Sequence, residues 1–138
     1  ARVSDAAVIT AWSNDFQYDE VFARQVEAFG QRGDILFCFS TSGKSPNVLQ
    51  AMKAALEKDM TCIALTGKGG GDAGQLAHVN IVIPSNSTPR IQELHLHVLH
   101  VLCSIVENDL FASRRRNGIP YSQRNGESNG MLTTRTSP

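Results

Sequence analysis

Net charge is what this sequence lacks: 13 Lys and Arg balance 13 Asp and Glu. A protein that holds nucleic acid through its phosphates needs a basic excess, so no direct nucleic-acid partner is expected. It has no long apolar span and no recognisable signal peptide, so no membrane partner is expected and the chain reads as cytoplasmic. Only three cysteines occur, Cys38, Cys62 and Cys103, and none is near another in sequence. That excludes the paired spacing of a zinc ribbon or finger. Each lies among apolar neighbours, which implies buried thiols in a reducing compartment. There is no Walker glycine frame before Lys44 and no HExxH pattern. Lys44 therefore does not belong to a nucleotide P-loop, and helical spacing alone does not establish a metal site.

What is present is enough for one domain with a core: 138 residues, 41% hydrophobic and 19% charged. The zero net charge hides an asymmetry. Residues 1–112 carry 8 Lys and Arg against 12 Asp and Glu, a net of −4. Residues 113–138 carry 5 Arg against Glu127 alone, a net of +4. The hydrophobic pattern stops near Ala112, so 1–112 reads as the domain and 113–138 as a disordered basic tail.

The centre of the chain is Gly33 to Ala54. Ile35 to Phe39 is a short apolar run that reads as a buried strand. A hydroxyl-rich turn follows, Ser40-Thr41-Ser42-Gly43-Lys44-Ser45. Val48, Leu49, Met52 and Leu56 then recur at helical spacing. Ser45 is suited to cap that helix, with Pro46 at its first position. Strand, small polar loop and helix N-terminus together make an anion site, and a sugar phosphate suits it. The same composition also occurs in ordinary loops that bind nothing.

Around this unit, Asp5 is placed to cap a helix from Ala6 to Trp12, broken by Ser13-Asn14-Asp15. Asp19 to Phe29 is an amphipathic helix with Val21, Phe22, Val26 and Phe29 on one side. Thr61 to Leu65 and Val79 to Ile83 read as strands, with a glycine-rich turn at Gly67–Gly71 and a helical turn from Asp72 to Leu76 between them. Strands alternating with helices imply an α/β, doubly wound, Rossmann-like parallel sheet flanked by helices. Ligands in such sheets bind beyond the strand carboxyl ends, where the Ser40–Ser45 and Gly67–Gly71 turns both fall.

Thr88 to Phe111 is the longest helix, apolar around most of its circumference, which implies burial against another subunit. It also carries Gln92, Glu93, His95, His97 and His100. Gln92 and His100 are separated by roughly 80° around an ideal helix. Spacing alone does not select any of these as ligands.

Asn14-Asp15-Phe16, Ser40 to Ser45, Leu65-Thr66-Gly67-Lys68 and Arg90-Ile91-Gln92-Glu93 through His100 together resemble sugar isomerase (SIS) domains, most nearly the phosphoheptose isomerase family. The resemblance covers about residues 1–111. It implies a homotetramer with interfacial active sites. It also implies isomerisation of sedoheptulose 7-phosphate to D-glycero-D-manno-heptose 7-phosphate through an enediol, for bacterial surface heptose synthesis. Ser40, Thr41, Ser42 and Ser45 then hold the substrate phosphate, and Asn14 and Asp15 contact the sugar. Gln92 and His100 match zinc ligands of metal-bearing members, and His100 matches a catalytic acid/base. An imidazole has a suitable pKa for that proton transfer. The family's first segment, with a histidine ligand and a glutamate that is both ligand and base, has no counterpart here. The family domain is accordingly expected to be N-terminally truncated in this chain. Pro89 also stands where family enzymes often have Asp. Two alternatives follow: a non-catalytic SIS protein that binds the replication initiator DnaA, or a sugar-phosphate sensor. Ser42 and His100 favour the isomerase over the DnaA binder.

Overall fold

A computed structural model describes residues 5–116. The order of elements is α1 (Ala6–Asp15), a 3₁₀ turn (Tyr18–Glu20), α2 (Val21–Phe29), β1 (Ile35–Ser40), α3 (Pro46–Glu57), β2 (Thr61–Thr66), α4 (Gly71–Leu76), β3 (Val79–Val82) and α5 (Thr88–Arg116). The described residues divide into two units, one ending at Leu99 and the other beginning at His100, with the boundary inside α5.

The first unit holds the sheet. Its strands lie in the order β1-β2-β3, all parallel, with Ile35 opposite Thr61 and Ile63 opposite Val79. Each crossover contains a helix, as parallel neighbours require. Side chains alternate across a strand, so Cys38, Cys62 and Ala64 share one face. That face packs against Ala23 and Val26 of α2, Ala51, Met52, Ala54 and Ala55 of α3, and Ala73 of α4. Small residues dominate, so helix and sheet approach closely, and Met52 fills the centre with no exposure. On the other face, Leu65 and Ile91 are fully buried while Ile35 is 61% and Phe39 is 41% exposed. The architecture is the α/β parallel sheet expected from the sequence.

Local details depart from expectation for physical reasons. Asp5 caps α1 as expected, its carboxylate accepting from the Ala7 N–H at 2.9 Å. The helix does not break at Ser13, however, but continues to Asp15. Trp12 stacks on Phe16 one turn later, at 4.1 Å between centroids, and Arg24 covers the indole. Such i,i+4 support outweighs the small propensity penalty of Ser, Asn and Asp. In α2, Val21 and Val26 are buried but Phe29, expected on the same apolar side, is exposed. The three ion pairs among the described residues, Arg24–Glu27, Arg32–Asp59 and Arg90–Glu93, are surface pairs that contribute little.

The thiols split. Cys38 and Cys62 are buried, and Cys103, expected in a core-like position, is exposed. Burial pushes the Cys38 thiol up to about 12, with the neighbouring Cys62 adding to the effect. Burial raises Cys62 as well. Both thiols donate to backbone carbonyls, Cys38 to Ile63 and Cys62 to Met52.

In the second unit, α5 continues to Arg116, beyond the Phe111 boundary expected. Val101, Ile105, Val106 and Leu110 are exposed there. The expected disordered tail from 113 meets helix through 116, and its remainder, 117–138, lies outside the described residues. No helix among the described residues is long and apolar enough to cross a membrane.

Candidate functional site

The site is built at the carboxyl ends of β1 and β2. The Ser40–Ser45 turn leaves β1 and enters α3 at Pro46. Ser45 occupies the N-cap position with extended backbone, as expected, yet its side chain makes no cap hydrogen bond. Its hydroxyl instead lies 3.0 Å from the hydroxyl of Ser40, which is 6% exposed. The first turn is served by other groups. Val48 N–H donates to Asn47 Oδ1 at 2.9 Å and to the Ser45 carbonyl at 3.1 Å. Pro46 has no N–H, so the Asn47 amide is a first-turn donor without an intrahelical acceptor. No acidic side chain occupies that turn, which leaves the positive end of the helix dipole uncompensated.

The turn is clamped from its far side. Gly43 has φ +64°, and a Cβ there would collide with the Gly70 carbonyl. The Ala73 N–H donates to the Gly43 carbonyl at 2.9 Å. The glycine-rich turn after β2 therefore lies backbone to backbone against the hydroxyl turn after β1. Only glycine supplies both that φ and that approach.

Above the turn is an open groove of about 440 Å³ lined by Phe39, Ser40, Thr41, Ser45, Gln92, His95, Leu96 and Leu99. The four helical residues are spaced i, i+3, i+4 and i+7, one face of α5. Gln92 supplies an exposed amide, and His95 is 5% exposed. His95 Nε2 lies 3.1 Å from the Thr66 carbonyl, and its ring meets Phe39 edge-on at 5.9 Å. Thr66 is itself fully buried and donates from Oγ1 to Asn80 Oδ1 at 2.8 Å. A polar chain thus ties β3 and β2 to the groove face of α5. Hydroxyls, an amide and a helix N-terminus can hold an anion, while Phe39, Leu96 and Leu99 provide an apolar wall.

The expected site residues divide. Ser40, Thr41, Ser45 and Gln92 converge on the groove. Ser42 lies in the same turn but does not line it; its hydroxyl accepts from the Lys44 N–H at 3.1 Å. Asn14 and Asp15 lie exposed on α1, where Asn14 Nδ2 donates to Asp15 Oδ1 at 2.9 Å, and they do not line the groove. His100 is an exposed residue of the second unit. His95 is not among the site residues expected from the sequence. The signal was available: with Gln92, Leu96 and Leu99 it completes a helical stripe opposite a strand end.

Zinc does not fit this chain's described residues alone. No group of three or more His, Cys, Asp or Glu is placed to hold a metal among them. Gln92 and His100 supply at most two donors, and tetrahedral zinc needs at least three from protein.

Comparison with known proteins bears on this arrangement. The SIS domain family profile matches residues 3–67. The phosphoheptose isomerase of Alteromonas mediterranea is 56% identical over 114 residues, covering 80% of this chain and 58% of that protein. That of Shewanella sediminis is 52% identical over the same span and shares. The chain thus spans 58% of the length of these curated relatives. Among solved structures, a phosphoheptose isomerase from Neisseria gonorrhoeae superposes with TM-score 0.74 at 42% identity, over 76% of this chain and 59% of that one. One from Francisella tularensis gives TM-score 0.74 at 38% identity, over 76% and 56%.

Proposed function

We propose, from its likeness to the SIS domain family and to phosphoheptose isomerases, that the chain's groove grips the phosphate of a seven-carbon sugar in an aldose–ketose isomerase. The substrate pair is sedoheptulose 7-phosphate and D-glycero-D-manno-heptose 7-phosphate, interconverted through an enediol. The observation that carries this is the Ser40–Ser45 hydroxyl pair at the start of α3, facing a groove whose other side bears Gln92. The hydroxyls and the Asn47 amide take the phosphate, and Gln92 takes an oxygen of the sugar.

Proton transfer between adjacent carbons needs a base, and His100 is the proposed one. Asn14 and Asp15 are proposed sugar contacts, and Ser42 a further phosphate contact. In an assembly of several copies, neighbouring chains bring these groups to the groove. The exposed Val101, Ile105, Val106 and Leu110 support such association, proposed as a homotetramer, with the cytoplasm as its compartment.

One observation favours a second reading, ligand binding without turnover. Among the described residues, His95 is the one titratable side chain lining the groove, and no carboxylate lines it. The two readings separate in deuterium oxide. Isomerisation through an enediol washes solvent deuterium into the sugar at the exchanged carbon, seen by NMR. Exchange that is lost in His100→Ala supports the isomerase. Tight binding of sedoheptulose 7-phosphate with no exchange supports the sensor, and capture of DnaA without either supports the non-catalytic alternative.

A further inference from the structure

We propose that His95 orients the substrate, its Nδ1 accepting a hydrogen bond from a hydroxyl of the sugar phosphate. This rests on the sugar-phosphate reading of the groove. A carbonyl oxygen can only accept, so the 3.1 Å contact to the Thr66 carbonyl requires the proton on Nε2. The same carbonyl accepts from the Ile83 N–H at 2.8 Å, and Thr66 is held to Asn80. The anchor is therefore fixed by two strands. A neutral imidazole protonated on Nε2 carries its lone pair on Nδ1.

Among the described residues, Nδ1 has no hydrogen-bond partner. The residue as a whole is 5% exposed. His95 borders the groove, so Nδ1 is the ring nitrogen left for a ligand there.

An acceptor there has a particular chemical consequence. The serine and threonine hydroxyls and the Gln92 amide can all donate to anionic oxygens. A lone pair repels an unprotonated phosphate oxygen but welcomes a sugar hydroxyl. His95 therefore discriminates a phosphorylated polyol from phosphate itself. The edge-on Phe39 ring restrains the imidazole plane and so its aim.

The test compares inorganic phosphate with sedoheptulose 7-phosphate by calorimetry on the full 138-residue chain. His95→Gln keeps a donor that can reach Thr66 but places no acceptor at the Nδ1 position. It is expected to weaken sugar-phosphate binding about tenfold while changing inorganic phosphate binding less than about twofold. His95→Asn places an acceptor near that position and is expected to recover part of the loss. In the unmutated protein, the ¹⁵N resonance of His95 Nδ1 is expected to move with the sugar phosphate and stay still with inorganic phosphate. Equal weakening of both ligands, or a silent Nδ1 resonance, overturns the assignment and leaves the phosphate site standing. Failure of the unmutated chain to bind inorganic phosphate overturns the reading beneath it as well.

Discussion

Gly43→Ala tests the clamp between the two turns, and Gly69→Ala is its internal control. Both glycines have positive φ, +64° and +84°. Both substitutions therefore incur the left-handed penalty, roughly 1–2 kcal/mol for an alanine. They differ in surroundings. A Cβ at Gly69 meets nothing within 4 Å, whereas at Gly43 it collides with the Gly70 carbonyl. Relief at Gly43 requires moving one backbone away from another. That strains the Ala73-to-Gly43 and Gly43-to-Ser40 hydrogen bonds, each worth about 1 kcal/mol.

The expected totals are about 3 kcal/mol for Gly43→Ala and about 1 kcal/mol for Gly69→Ala. A domain of this size loses roughly 5 °C in Tm per kcal/mol, so the variants should melt about 15 °C and about 5 °C lower. Thermal unfolding followed by circular dichroism measures both. Calorimetry with inorganic phosphate supplies the second readout. Gly43→Ala should lose binding because Ser40 and Ser45 are displaced with the turn, and Gly69→Ala should keep it. Equal melting losses, or phosphate binding retained in Gly43→Ala, would refute the clamp.

Ser45→Ala leaves the buried Ser40 hydroxyl without its partner, and is expected to cost about 1 kcal/mol in urea unfolding and weaken phosphate binding about tenfold. Thr66→Val removes the donor to Asn80 inside the sheet, with an expected loss of about 2 kcal/mol by the same measurement. Native protein at pH 8 should label at Cys103 alone with a maleimide, and all three thiols should label in denaturant. Folded Cys38 holds its proton up to about 12, against 9.0 as the ordinary value, so stability should fall as pH rises between those limits. Cys38→Ala should flatten that alkaline slope.

The repeat of strand and helix was legible because each element has a short-range cause. Ile35 to Phe39 is apolar and bounded by Gly33 and the serine turn, and β1 forms there. Boundaries failed where a side chain far along the helix decided the matter. Ser13, Asn14 and Asp15 have helix-breaking chemistry, but Phe16 stacks back on Trp12 and holds the last turn closed. Phe29 belongs to the apolar stripe of α2 by spacing, yet its position at the helix end leaves it exposed. Cys103 follows the same logic on α5. An apolar helix says that something covers it, not that the cover lies within the same chain.

The site was half legible for a related reason. Ser40, Thr41 and Ser45 are local: one turn between one strand and one helix brings them together. The partner they face is non-local, and residue type alone ranks five polar residues of α5 equally. Depth separates them. Ile91 and His95 point at the sheet, where a Cβ on Gly67 would overlap the Ile91 side chain, so α5 lies close against the end of β2. Once that contact sets the helix rotation, i+1 from Ile91 and i+4 from it fall to Gln92 and His95. The groove therefore acquires an amide and an anchored imidazole together. A substitution that rotates α5, such as enlarging Gly67, should disturb both at once although it touches neither.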